Sequence, residues 1–342
     1  MIKKILKKAL EDKASDIILS PNKKVCYKIN WSMIFQEDFW VLSKEIMNSI
    51  FLQISNKTQQ DIFNKNKELD FWLALWKIRF RVNVFWVKDW FWLVFRIIPA
   101  VIPDFSDLWL PDIIKSFINK KNGIVLITWA VGSWKSTTLA SLLNIINNNQ
   151  SKHIITIEDP IEFVYADWKS LVEQREVWVN TLSFDNWLKY ALRQAPDIVM
   201  IWEMRDLETF RLALRAAETW NLVFATLHTS WAARTVARII DMFPAWEKDQ
   251  IRSQLSESLI WVVWQKLLST KDWKWRVAAT EVLLNNVWIS NVIRKWETHK
   301  LDSIIETSKG EWMIQMKDSL KELFDKWLIS QEEYNLELSY LK

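Results

Sequence analysis

Along the first hundred residues, short apolar runs alternate with turn signals: Asp16-Ile17-Ile18-Leu19, Val25-Cys26-Tyr27-Lys28-Ile29, Ile78 through Phe85, and Phe91 through Ile98. Helical patterning interrupts them from Lys44 to Ile54 and near Gln59 to Phe63, so residues 1–98 read as a small α+β domain. Pro99, Pro103 and Pro111 follow closely. Each removes a backbone donor and restricts its predecessor, which marks 99–111 as a linker. From Asp112 the pattern changes to continuous apolar runs at Ile124–Ile127, Ile154–Ile157, Ile198–Ile201 and Leu222–Thr226. Helical stretches, Thr137 to Ile146 and Leu207 to Glu218, lie between them. Uniformly apolar strands alternating with helices predict an α/β sheet covered on both faces, over 112–280. Residues 281–342 read as a helical extension, with Ser330 and Glu333 spaced as a capping box.

Composition narrows the function. The chain has 342 residues, 50% apolar and 25% charged, which excludes disorder as its main state. A net charge of +4 without Lys/Arg clusters gives no basic groove, so a nucleic-acid motor is disfavoured and no nucleic-acid partner is expected. The single cysteine, Cys26, leaves no disulfide and no multi-cysteine zinc site. No apolar run approaches the roughly 20 residues that span a bilayer, and the basic N-terminus lacks the apolar stretch of a secretory signal. A soluble cytoplasmic protein is the expectation.

One pair of counts is abnormal: 25 Trp against 3 Gly. Together they make up about 8% of the chain, close to the roughly 7% that glycine alone ordinarily takes. Asn30-Trp31, Asp89-Trp90, Asp167-Trp168 and Asp272-Trp273 put tryptophan in the Asn-Gly or Asp-Gly slot of a tight turn. Trp296 and Trp327 stand where a helix would end on glycine. Most of these tryptophans are therefore expected to be glycine in the native polypeptide, from an organism that decodes UGA as glycine where the usual alternative table gives tryptophan.

After the run Ile124–Ile127 come Trp129, Ala130, Val131, Gly132, Ser133, Trp134, Lys135, Ser136 and Thr137. With glycine at 129 and 134, residues 129 to 136 form a complete phosphate-binding loop between a strand and a helix. Small residues are needed there because backbone N–H groups wrap the phosphates at the positive end of the helix. Lys135 would meet the β- and γ-phosphates of ATP, and the Ser136 hydroxyl would ligate Mg²⁺. With indoles at 129 and 134 the loop is blocked, and an inactive scaffold is the reading from a different class.

Further acids and a histidine fall at strand ends, where ligands of α/β sheets collect. Glu158, Asp159 and Glu162 close one strand. Glu203 follows Ile198-Val199-Met200-Ile201-Trp202 in the form of a Walker B strand, placing a carboxylate beside Mg²⁺. His228 ends another apolar run, where it could sense a γ-phosphate or polarise the attacking water.

These stretches, together with Ile154 to Phe163, Gln174 to Val177, Ala191 to Asp197, Trp202 to Thr209 and Leu227 to Asp241, resemble the type IV pilus retraction ATPases of twitching motility, within the secretion ATPase superfamily. The likeness spans nearly the whole chain, and Trp129, Trp134, Trp202, Trp220 and Trp246 fall where such proteins commonly carry glycine. The resemblance implies a RecA-like P-loop ATPase core, an N-terminal PAS-like α+β domain and a helical C-terminal extension. It implies catalytic roles for Glu162, Glu203 and His228, with Mg²⁺ held by Ser136, Glu162 and Glu203. It further implies a homohexamer in which Arg81 and Arg96 reach the nucleotide of a neighbouring protomer, working on an inner-membrane pilus platform protein. Membrane association would then be peripheral and through that partner, at the cytoplasmic face of the inner membrane.

Two departures bear on the role. Ser290 stands where the family's C-terminal motif usually has arginine and Lys295 where it has glutamate, and Asn221 replaces a common histidine. They leave ATP hydrolysis intact and count against the retraction role; an accessory retraction ATPase, which the sequence alone separates poorly, is one alternative. A pilus assembly or type II secretion ATPase is the other, disfavoured because those usually carry a long N-terminal extension and a four-cysteine zinc module.

Overall fold

The alternating runs of the first hundred residues pair into one antiparallel sheet, in a computed structural model that describes all residues except 30–31, 77, 99–100, 130–134, 178, 182, 205, 273–275, 309–311 and 342, with side chains at 129, 135 and 184–186 also outside the description. The chain divides into two units, Met1–Val101 and Ile102–Lys342.

The first unit comprises α1 (Ile2–Glu11), β1 (Asp16–Leu19), β2 (Cys26–Ile29), β3 (Ser32–Phe35), α2 (Lys44–Ile54), α3 (Lys57–Asn66), β4 (Glu68–Leu75), β5 (Ile78–Trp86) and β6 (Phe91–Ile98). Its strands lie in the order β3-β2-β1-β6-β5-β4. Phe80, Val82 and Val84 of β5 and Leu93 and Phe95 of β6 form one core with Ile5 and Leu6 of α1, Ile50 and Phe51 of α2, and Phe63 of α3. The intervening positions form the opposite, open face, because side chains of a strand alternate between faces. Helix α2 starts where the Ser43 side chain accepts from the Ile46 N–H, and α3 starts in a full capping box between Asn56 and Gln59. The basic N-terminus is helix α1. Its buried Ile2, Ile5, Leu6 and Ala9 recur at helical spacing beneath the lysines, so a few apolar residues on one face suffice to dock it.

The second unit begins with two 3₁₀ stretches, Phe105–Leu108 and Asp112–Asn119, that bury Phe105, Leu108, Ile114 and Phe117. The C-terminal half of the expected linker 99–111 thus packs into this unit. There follow β7 (Gly123–Trp129), α4 (Lys135–Asn149), β8 (His153–Glu158), β9 (Leu171–Glu176), α5 (Phe184–Ala191), β10 (Ile198–Ile201), α6 (Leu207–Glu218), β11 (Leu222–Leu227), α7 (Ala232–Met242), α8 (Lys248–Ser258), β12 (Leu259–Ser269), β13 (Arg276–Leu284), α9 (Val287–Arg294), α10 (Leu301–Thr307), α11 (Met316–Asp325) and α12 (Gln331–Ser339).

The sheet runs β13-β12-β7-β11-β10-β8-β9 and is parallel except at the β12–β13 pair. Alternate residues of β7 enter different cores: Ile124 and Leu126 join α6, α7 and α8, while Val125 and Ile127 join α4 and the 3₁₀ stretches. This two-sided burial is why the strands read as unbroken apolar runs. Strand β13 corrects the expectation of helix from residue 281. It runs to Leu284, because Val282 and Leu283 alternate into the two cores. At the last helix, the Ser330 hydroxyl accepts from the Glu333 N–H.

Among the described residues, Trp76, Trp109, Trp220, Trp231, Trp296, Trp312 and Trp327 take positive φ. That region is disfavoured for any residue with a Cβ, and a bulky side chain there is an outlier. Trp327 follows α11, donating its N–H to Phe324 O at 2.9 Å while Leu328 N–H reaches Leu323 O at 3.0 Å. After α9, Trp296 N–H meets Ile293 O at 3.1 Å and Glu297 N–H meets Val292 O at 2.9 Å. Both are Schellman ends, with tryptophan at the glycine position. Trp90 and Trp168 depart from the turn-slot expectation, since neither is among the positive-φ residues. Trp31 and Trp273 lie outside the described residues.

Candidate functional site at the carboxyl edge of the second sheet

Strand β7 ends at Trp129 and α4 begins at Lys135, so the phosphate-loop sequence joins a central strand to a helix N-terminus. Ala130, Val131, Gly132, Ser133 and Trp134 lie outside the described residues, and Trp129 and Lys135 are described by backbone alone. Beyond them Ser136 is buried and Thr137 half-buried. Thr138 Oγ1 donates to Gln265 Oε1 at 3.1 Å, pinning α4 to β12. Gln265 itself pairs in register with Trp129. Gln265 Nε2 and Thr128 Oγ1 are buried without a hydrogen-bond partner among the described residues. Buried polar atoms normally find partners, so a polar ligand fits beside this loop better than an apolar one.

Next to β7 in the sheet stand β11 and β10, whose ends bring two predicted residues together. His228 Nε2 is 3.2 Å from Glu203 Oε1, the carboxylate being buried and the imidazole 43% exposed. Backbone bonds fix this corner: Trp202 N–H donates to Ile157 O at 2.9 Å, and Met204 N–H to Thr226 O at 3.0 Å. The Thr226 hydroxyl donates to Trp202 O.

At the end of β8, Glu158 and Glu162 are placed differently. Glu158 is buried rather than presented at the edge, accepting from Thr156 Oγ1 at 2.7 Å, Gln174 Nε2 at 3.0 Å and the Glu162 N–H at 3.3 Å. Burial pushes its carboxyl up to about 7. Gln174 also donates to Phe163 O and accepts from Tyr165 N–H, and Glu176 accepts from Ile161 N–H. Glu158, Gln174 and Glu176 therefore shape the loop that carries Glu162, which is half-buried. The sequence alone does not distinguish Glu158 from Glu162; its one signal is the same-face spacing of Thr156 and Glu158, whereas the pairing of Thr156 with Gln174 is seen only in the fold.

Arg81 and Arg96 belong to the first unit, directly opposite each other on β5 and β6. Arg81 donates from Nε and Nη2 to Asp70 Oδ2 at 2.8 and 2.5 Å. Arg96 donates from Nε to Asp16 Oδ1 at 2.9 Å. The second-unit site thus carries a helix N-terminus, a buried hydroxyl and carboxylates, a donor set that suits a nucleotide phosphate with a hard divalent cation. Among the described residues no cluster of three or more His, Cys, Asp or Glu forms a metal site by itself. No helix among them is long and apolar enough to cross a membrane.

Similarity to known proteins agrees with this layout. The twitching motility protein of Neisseria gonorrhoeae is 45% identical over 292 residues, covering 85% of this chain and 78% of that protein. The type IV pilus retraction ATPase PilT of Pseudomonas aeruginosa is 44% identical over 292 residues, covering 85% of each. A crystal structure of the pilus retraction motor PilT with bound ADP superposes with a TM-score of 0.90 at 39% identity, covering 97% of this chain and 95% of that one. Residues 1–294 match the Type II/IV secretion system protein family, and the chain belongs to it.

Proposed function

We propose that this protein is an ATPase motor that hydrolyses ATP to power type IV pilus retraction and twitching motility. The observation that carries the reading is its match over nearly its whole length to the ADP-bound retraction motor, with the P-loop sequence and the Glu203–His228 pair at one sheet edge. Lys135 and the N–H groups opening α4 bind the β- and γ-phosphates. Ser136, Glu162 and Glu203 are the residues that would hold Mg²⁺, which when bound neutralises charge on the phosphates. Glu162 orients the attacking water and accepts its proton. Glu203 holds the His228 imidazole 3.2 Å away, so the ring reports on the γ-phosphate side. Arg81 and Arg96 belong to the first unit and serve the nucleotide of a neighbouring copy in a homohexamer, where guanidinium charge offsets the charge spreading over the phosphoryl oxygens. The motor would act on a platform protein at the cytoplasmic face of the inner membrane. An accessory retraction role is the second reading, favoured by Ser290 and Lys295 in the C-terminal motif.

The proposal includes glycine at most tryptophan positions of the native polypeptide. Seven tryptophans at positive φ support it, as do the buried indole N–H groups of Trp187, Trp261 and Trp264, which find no acceptor among the described residues. Peptide mass spectrometry of residues 122–135 from the native host tests this, glycine masses at 129 and 134 being expected. Deletion of the gene tests the motor reading. Pili should still assemble but no longer retract, whereas loss of pilus assembly would assign the chain to the extension or secretion side.

A further inference from the structure

On the open face of the first sheet, four charged residues lie in a row across four strands: Asp16 of β1, Arg96 of β6, Arg81 of β5 and Asp70 of β4. Asp16 is in register with Arg96, and Arg96 with Arg81, while Asp70 meets Arg81 diagonally, its own partner being Asn83. Two arginines directly opposite on adjacent strands repel each other. Each is drawn outward by its own carboxylate, and a cavity of about 180 Å³ lined by these four residues with Asn83 and Val94 opens at the row.

The carboxylates are themselves held. Asp16 is nearly enclosed, its side chain 10% exposed, and its second oxygen, Oδ2, accepts from Ser15 Oγ at 2.8 Å. The Arg96 side chain is 62% exposed and touches Asp16 through Nε, the guanidinium nitrogen nearest the backbone. A contact there fixes the stem of the side chain and leaves its far end facing solvent. Asp70 grips Arg81 through Nε and one terminal nitrogen, which fixes the plane of that fork as well.

We propose that Asp16 and Asp70 are positioning residues for ATP turnover: each holds one arginine of a preset pair, with the entropy of ordering a long side chain already spent in the free protein. This rests on the reading of Arg81 and Arg96 as the arginines that serve a neighbour's nucleotide. A pair oriented in advance reaches a phosphoryl group without searching rotamers, so the carboxylates act on turnover and leave ADP binding alone.

Two double-mutant cycles on steady-state ATP hydrolysis by the full-length native-sequence protein test the proposal, one with Asp70→Ala and Arg81→Ala, the other with Asp16→Ala and Arg96→Ala. Each arginine variant should lower kcat on the order of a hundredfold or more. Each aspartate variant should lower it about tenfold with the Kd for ADP unchanged. The double variants should be no slower than the arginine variants alone, and Asp16→Asn, whose amide oxygen still accepts from Nε, should recover part of the loss. Asp70 sits on an exposed surface, so its cycle stands even where truncation of the enclosed Asp16 prevents folding. Aspartate variants with normal kcat beside inactive arginine variants would overturn the positioning role while leaving the arginine reading intact. So would aspartate losses that multiply with those of the arginines. Arginine variants with normal kcat would overturn the reading on which the proposal rests, and the proposal with it.

Discussion

At residue 327 the backbone turns left-handed, with φ 59°, to close α11, and the indole there is 74% exposed. Its bulk therefore contributes little burial while its Cβ disfavours the conformation the turn requires. In a polypeptide made with tryptophan at this position, Trp327→Gly should raise stability by about 1 kcal/mol, read by urea unfolding; a loss of stability would mean the indole packs usefully. Glu281 makes a second claim at this scale. Buried on β13, it accepts from the Ala232 N–H at 2.7 Å where α7 begins, and burial raises its carboxyl to about 7. A carboxyl raised above its unfolded value binds protons more tightly in the folded state. Its contribution is complete below the unfolded value of 4.5 and is lost as pH rises through about 7. Glu281→Gln keeps an oxygen for Ala232 and cannot ionise. Its stability relative to the parent should rise between pH 5 and pH 8 by on the order of 2 kcal/mol. A difference that stays constant across that range would show a carboxyl titrating as in the unfolded chain.

Elements decide which of these side chains meet. Strands β10 and β11 are neighbours in parallel register, so residues just past their ends, Glu203 and His228, converge although 25 positions apart in sequence order. Glu203→Gln should lower kcat on the order of a hundredfold while the Kd for ADP holds, because the amide would hold Mg²⁺ and the His228 imidazole less well in the transition state. A rise in KM with normal kcat would instead assign Glu203 to ground-state binding. Much of this was legible in the residues. The strand Ile198–Ile201 and the helix Leu207–Glu218 coincide with β10 and α6, because two-sided burial writes an unbroken apolar run and an amphipathic helix writes its period. Less visible were elements whose apolar content is split by charge, such as α1, and β9, whose Leu-Val-Glu-Gln-Arg-Glu sequence is strand only by pairing with β8. Glu158 was hidden for a related reason. Whether a carboxylate at a strand end faces solvent or supports a loop depends on Gln174, which lies 16 residues away.

For the whole molecule, the sequence pattern predicted a small α+β region followed by a larger α/β region, and the chain divides at residue 101 into two units of those kinds. The arginine row lies in one unit and the phosphate-loop sequence in the other. A motor of this kind hydrolyses ATP only if Lys135 meets phosphate, so turnover would require the glycines proposed at 129 and 134 in place of indoles. The most direct test is steady-state ATP hydrolysis by the full-length protein purified from its native host, beside Lys135→Ala from the same host. The account predicts Mg²⁺-dependent turnover in the parent and its loss on substitution. Absent turnover in the parent, or turnover that survives Lys135→Ala, would contradict it.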